Sequence, residues 1–138
     1  MTKTQRLIQA STGSVYGKLD EICTEKSPTN PLSLYGVTKL QAEGYVKQFG
    51  GVSLRFATAF GVSPCMRFDV VPSFFMWKAL TERCMVVYEG QVRRTLIDVW
   101  DMGRSYIHVN QRYESMGGEV FNVGDDALNV TKRDVVDE

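Results

Sequence analysis

The run Val52–Thr58 constrains this chain most. It is short and continuous enough to be a strand buried on both faces, which places it in a sheet covered by helices on each side. Gly50-Gly51 stands immediately before it and is a good stop for a helix. That helix is expected to begin near Leu32 or Ser33 and to run to about Gln48. Val37, Leu40, Gly44 and either Val46 or Tyr45 can form its packing face. Arg6–Ala10 reads as an earlier strand, ending at a turn at Ser11 and Thr12. The fold class that follows is α/β. In open sheets of that class ligands sit beyond the carboxyl ends of the strands, so residues just past Ala10 are well placed for chemistry.

The rest of the chain continues the alternation. Lys18–Leu34 is loop-like, with Pro28, Asn30 and Pro31. A helix is expected after Pro72, towards Glu82, with Phe74, Phe75, Trp77 and Leu80 as its bulky positions. Met85–Tyr88 reads as a strand, and Arg94–Val99 as strand or loop. Met102–Gln111 reads as a helix with Asp101 near its start, where a carboxylate suits both cap and dipole. Glu119–Val123 reads as a strand. Thr131 opens a last helix, with Asp134 three residues on in a pattern close to a capping box.

The 138 residues suffice for one domain with a real core. The formal net charge is zero, and no basic arm or patch points to nucleic acid. Cys23, Cys65 and Cys84 are odd in number and widely spaced, without a Cys-x-x-Cys. They read as reduced thiols of a cytoplasmic protein rather than as metal ligands or a redox motif, so no metal is expected. The polar start Met1–Gln5 shows no signal peptide. No stretch reaches the roughly 18 apolar residues of a membrane span. Asn129-Val130-Thr131 matches a glycosylation sequon and is taken as chance. His108, the lone histidine, sits in a helical pattern and reads as structural.

Tyr35 and Lys39 stand four residues apart in Tyr35-Gly36-Val37-Thr38-Lys39. On a helix these positions share a face, so both can act on one bound molecule. The ammonium favours the phenolate by direct charge attraction, which makes the phenol a general acid/base able to work near neutral pH. Thr12, in Ser11-Thr12-Gly13-Ser14-Val15-Tyr16-Gly17, can hold a substrate oxygen between them. Its alternative role is a turn-capping hydroxyl.

Taken in this order, these motifs and Leu54-Arg55-Phe56-Ala57-Thr58-Ala59-Phe60-Gly61 resemble the NAD-dependent epimerase/dehydratase group of the extended short-chain dehydrogenase/reductase superfamily. Arg94-Thr95-Leu96-Ile97-Asp98-Val99-Trp100-Asp101 and Gly118-Glu119-Val120-Phe121-Asn122-Val123-Gly124 are similar to two further segments of that group. The resemblance covers nearly the whole chain. It implies the C-terminal part of a Rossmann-like parallel sheet over residues 1–62. Over residues 63–138 it implies part of a small substrate-binding region, interleaved with the sheet.

It also implies a chemistry, transient oxidation of a nucleotide sugar by bound NAD (NADP is not excluded), with Tyr35 as base. Lys39 serves the nicotinamide ribose, and Thr12 hydrogen-bonds the reacting oxygen. Ser11 is the fallback if the register slips by one, and Ser14 supports it. Phe56, Ala57 and Thr58 lie against the nicotinamide, although relatives often carry Asn where Thr58 stands. Arg94 grips the substrate diphosphate or makes a surface salt bridge, and Arg67 is a weaker phosphate candidate; guanidinium suits phosphate because it binds two oxygens at once. Asp98 and Asp101 organise backbone. Dehydratases of the group resemble Thr-Asp-Glu where this chain has Thr12-Gly13-Ser14, so the reading favours an epimerase or simple oxidoreductase. The whole protein is expected to be a homodimer that binds neither nucleic acid nor membrane.

The glycine-rich Gly-x-x-Gly-x-x-Gly turn that carries the pyrophosphate in such domains does not occur in the 138 residues. The chain is therefore expected to correspond to the middle of a family member and to be inactive alone. The alternative expectation is a truncated, non-catalytic product that only associates with a partner chain.

Overall fold

The computed structural model describes residues 5–18 and 22–137. Most of the polar start, part of the loop after Lys18, and Glu138 lie outside the described residues. In chain order the strands are β1 (Ile8–Thr12), β2 (Val52–Phe56), β3 (Thr58–Phe60), β4 (Arg93–Asp98), β5 (Val120–Val123) and β6 (Asn129–Thr131). The helices are α1 (Leu34–Gln48), α2 (Ser73–Thr81), α3 (Val99–Gln111), α4 (Tyr113–Met116) and α5 (Lys132–Asp137). They form two compact units. The first joins the described residues up to Phe56 with Gly103–Val123, and the second joins Ala57–Met102 with those from Gly124 on.

The first unit is built on a parallel sheet in the order β1-β2-β5. β2 is central and buried at all five positions, as expected of a strand covered on both faces. Its two faces differ in chemistry. Val52, Leu54 and Phe56 alternate with Ser53 and Arg55, and the register carries each set across the sheet. Leu54 and Phe56 align with Phe121 and Val123, whereas Arg55 aligns with Ser11 and Asn122. The apolar face meets α3, where the Phe56 and Tyr106 rings lie 5.5 Å apart and Val109 is fully buried. Burial also pushes the Tyr106 phenol above its ordinary pKa.

The polar face meets α1. Ser33 caps this helix, its hydroxyl accepting the Gly36 N–H at 3.1 Å. Gly50, at φ +69°, closes the other end by donating to the Lys47 carbonyl at 2.9 Å. Helix and stop thus stand where the sequence puts them, and of the expected packing face Val46 is buried and Val37 and Leu40 are half-buried, but Gly44 and Tyr45 are not part of it. Gly36, Glu43 and Val46 are buried while Gly44 and Tyr45 are exposed. A helix over a polar sheet face needs a polar side chain there, and Glu43 supplies it.

The second unit holds the sheet β3-β4-β6, with β3 and β4 parallel and β6 antiparallel. Phe75, Leu96 and Ile97 form its core. The run Val52–Thr58 is therefore two strands and not one: Ala57 breaks it, and Thr58 leaves β2's sheet to pair with Leu96. β1 lies two residues later than expected, so Ser11 and Thr12 are its last residues. Met85–Tyr88 is not a strand. Arg83 and Glu89 flank it at positive φ, no ladder partner adjoins it, and Val86 and Tyr88 are 66% and 76% exposed. α3 begins three residues before Met102, because Asp98 caps it by accepting the Trp100 N–H at 2.7 Å. At α5 the capping box is reciprocal. Thr131 N–H donates to Asp134 Oδ2 at 2.8 Å, and Asp134 N–H to Thr131 Oγ1 at 3.0 Å.

Candidate active site

Thr12 ends β1 and starts a 3₁₀ turn over Gly13–Tyr16. Its hydroxyl accepts the Ser14 N–H and donates to Ser14 Oγ, each at 3.2 Å. The capping role is thus filled, and one lone pair of the hydroxyl stays uncommitted. Ser11 sits on the opposite face of the strand and donates to Glu43.

Tyr35 lies in the first turn of α1 and is 54% exposed. Lys39, one turn on, has its Nζ 5.7 Å from the centre of the Tyr35 ring. The same Nζ donates to the Ala10 carbonyl at 2.8 Å. Lys39 therefore bridges Tyr35 to the carboxyl end of β1. Gly36 makes this approach possible: a Cβ there would stand 2.8 Å from Pro31 Cβ and 3.0 Å from the Ser14 carbonyl oxygen. Ser11, Thr12 and Ser14 near the end of β1, and Tyr35 and Lys39 on α1, thus all belong to the first unit, where the contacts join Lys39 to Tyr35 and Ala10, Thr12 to Ser14, and Ser11 to Glu43. Phe56 is aligned with Thr12, but its ring is buried against Tyr106.

Ala57, Thr58, Arg67 and Arg94 belong to the second unit. Arg67 and Asp69 form a two-pronged exposed pair at 3.0 and 2.7 Å, and the guanidinium holds the Asp69 carboxyl below the usual carboxylate range. Of the two neighbouring arginines on β4, Arg93 donates to the Asn129 carbonyl at 2.7 Å. Arg94 is exposed and makes no side-chain hydrogen bond or ion pair among the described residues. A cavity of about 300 Å³ in this unit is lined by Val87, Gly90, Gln91, Arg133, Val136 and Asp137, none of which the sequence singled out. Among the described residues no group of three His, Cys, Asp or Glu side chains could hold a metal ion, and no helix is long and apolar enough to cross a membrane.

Sequence reasoning missed a buried polar row beneath α1. Glu43 takes Arg55 in two bonds, Nε to Oε1 at 3.0 Å and Nη2 to Oε2 at 2.6 Å. Arg55 Nη1 donates to the Tyr16 hydroxyl at 2.8 Å, which donates to Asn122 Oδ1 at 2.7 Å. Burial pulls the Arg55 pKa down, but the bonds and charges of Glu43 and Tyr16 outweigh it, and the net shift is upward. Two signals pointed to this row. An arginine inside a doubly buried strand requires a carboxylate, and Glu43 continues the Tyr35–Lys39 stripe by one more turn.

The description "NAD dependent epimerase/dehydratase family" matches residues 1–124. The "uncharacterized UDP-glucose epimerase YtcB" of Bacillus subtilis (strain 168) is 32% identical over 127 residues, which are 87% of this chain and 39% of that protein. The dTDP-D-glucose 4,6-dehydratase of Mus musculus is 28% identical over 127 residues, 35% of its length. Among solved structures, MoeE5 in complex with UDP-glucose and NAD is similar with a TM-score of 0.83 at 31% identity, covering 96% of this chain and 46% of that one. The Bacillus cereus UDP-glucuronic acid 4-epimerase, with UDP-glucuronic acid and NAD, gives 0.78 at 28% identity, covering 88% and 40%. These neighbours are Rossmann-like enzymes, and the chain spans less than half the length of each relative. With its α/β fold, parallel sheet and motif order, the chain belongs to the NAD-dependent epimerase/dehydratase family.

Proposed function

We propose that this chain carries the acid/base part of a nucleotide-sugar epimerase or oxidoreductase that uses NAD. The observation that carries the reading is Lys39, which stands beside the Tyr35 ring while anchored to Ala10, two residues before Thr12. Tyr35 takes the proton of a sugar hydroxyl. Lys39 stands over the Tyr35 ring, and Thr12, held by the Ser14 N–H, turns its O–H from Ser14 Oγ to donate to the reacting oxygen. Arg94, uncommitted and solvent-facing, suits the substrate diphosphate better than Arg93 or Arg67, which are already engaged.

The donor set fits the nicotinamide end of NAD. The Lys39 ammonium has three protons and gives one to Ala10, leaving two for ribose hydroxyls. When bound, NAD supplies hydride acceptance. Thr12-Gly13-Ser14 offers no carboxyl to protonate a leaving hydroxyl, which favours epimerisation or simple oxidation over elimination. In the whole protein, exposed Tyr45 on α1 and exposed Phe49 just past its end support a homodimer.

The test follows turnover and calorimetric NAD binding in the whole protein. There, turnover of UDP-glucose or UDP-glucuronic acid is expected to be lost in Tyr35→Phe while NAD still binds. Turnover unchanged in Tyr35→Phe would refute the acid/base assignment.

A further inference from the structure

We infer that Glu43 is a positioning residue, which sets the rotation and register of the helix bearing Tyr35 and Lys39 against the end of β1. Its catalytic consequence rests on the function proposed above. Tyr35, Lys39 and Glu43 follow one another at four-residue intervals and line one stripe of α1. Two of the three touch β1 at consecutive residues: Lys39 binds the Ala10 carbonyl and Glu43 receives the Ser11 hydroxyl. A third tie runs from Gln9 Nε2 to the Lys39 carbonyl at 3.2 Å, and Gln9 is itself held by Ser53 at 2.8 Å.

Glu43 is the fixed point among these contacts. Its carboxylate is 5% exposed and is clamped on both oxygens by Arg55 of the central strand. A guanidinium–carboxylate fork defines direction as well as distance. Rotating α1 by one residue would carry Glu43 about 100° away from Arg55 and leave two charges buried without partners. Glu43 is the one charged side chain among the buried positions of α1, the others being Gly36 and Val46, while Val37, Leu40 and Ala42 are half-buried; apolar contact tolerates small rotations that a guanidinium–carboxylate fork does not. The ion pair therefore decides where Lys39 meets Ala10, and through it where Tyr35 stands relative to Thr12.

The test compares Glu43→Gln and Ser11→Ala with Val46→Ala, which removes a buried group from the same helix without touching the polar row. Circular dichroism establishes which variants are folded, and Ser11→Ala, which leaves the ion pair intact, serves if Glu43→Gln is not. The first readout needs no activity: the rate of Lys39 acylation by an acetyl N-hydroxysuccinimide ester, read by peptide mass spectrometry. Lys39 should react severalfold faster in Glu43→Gln than in Val46→Ala, and by an intermediate amount in Ser11→Ala. Equal Lys39 rates in the folded variants would overturn the proposal. The second readout is turnover of UDP-glucose with NAD by the whole protein. A displacement of about 1 Å costs on the order of 10²-fold in rate, so Glu43→Gln should lower kcat by that order with KM held. A kcat equal to that of Val46→Ala would overturn it as well. A whole protein without turnover before substitution would refute the proposed function, while the Lys39 rates would still decide the positioning role.

Discussion

Replacing Arg55 by methionine is expected to be among the most damaging single changes in the first unit. Arg55 and Glu43 side chains are 6% and 5% exposed. The substitution keeps much of the volume but removes two charge-assisted bonds to Glu43 and one to Tyr16. At about 1.5–3 kcal/mol per bond to a charged group, the two bonds on Glu43 amount to roughly 3–6 kcal/mol. Breaking one partner from a buried ion pair costs about 3–5 kcal/mol by direct comparison, because the other charge stays buried and uncompensated. The two routes agree on about 3–5 kcal/mol, a large share of the roughly 5–15 kcal/mol that holds an ordinary domain.

The assay is urea unfolding followed by far-ultraviolet circular dichroism. With a slope of about 1–3 kcal/mol per molar urea, the midpoint should fall by more than about 1 M. The pair itself, by contrast, adds little net stability. Arg55→Met combined with Glu43→Leu should therefore cost clearly less than the sum of the two single changes. A loss below about 1 kcal/mol for Arg55→Met, or strict additivity in the double variant, would refute the reasoning.

Two further outcomes are expected. Gly36→Ala should destabilise by about 1–3 kcal/mol through the close contacts with Pro31 and Ser14, although glycine to alanine inside a helix ordinarily gains about 1 kcal/mol; a raised melting temperature would contradict the close approach of α1 to the 3₁₀ turn. The Asp134 carboxyl is held below its usual range, first by the Thr131 N–H and then by the Thr131 hydroxyl. Its contribution to the α5 cap should be complete above the unfolded carboxylate value of about 3.9 and fade as pH falls through the lower folded value. A Thr131 amide resonance that titrates at or above the unfolded value would contradict this.

Much of the site was legible in the sequence because its signals are local. Ser33 caps α1 three residues before Gly36, Gly50 ends it, and the i, i+4 spacing puts Tyr35 and Lys39 on one face. Each of these is set by contacts within about one helical turn, where few alternatives compete. Thr131 and Asp134 likewise close a capping box three residues wide. The motif order from Ser11 to Gly124 was enough to indicate the family, whose match covers residues 1–124.

Only the tertiary structure decided where strands find partners. Val52–Thr58 looks uniform along the chain, yet it divides at Ala57 because Thr58 pairs with Leu96, which stands 38 positions later. Met85–Tyr88 has strand-like residues but no neighbour to bond. The same is true of charge. Glu43 in a helix and Arg55 in a strand are unremarkable alone, and the register Ser11–Arg55–Asn122 turns them into one buried row. Helix caps and stops were written in the sequence because a hydrogen bond between near neighbours costs little entropy to close. Strand pairing and buried ion pairs join distant residues, so their value appears only once the whole sheet has formed.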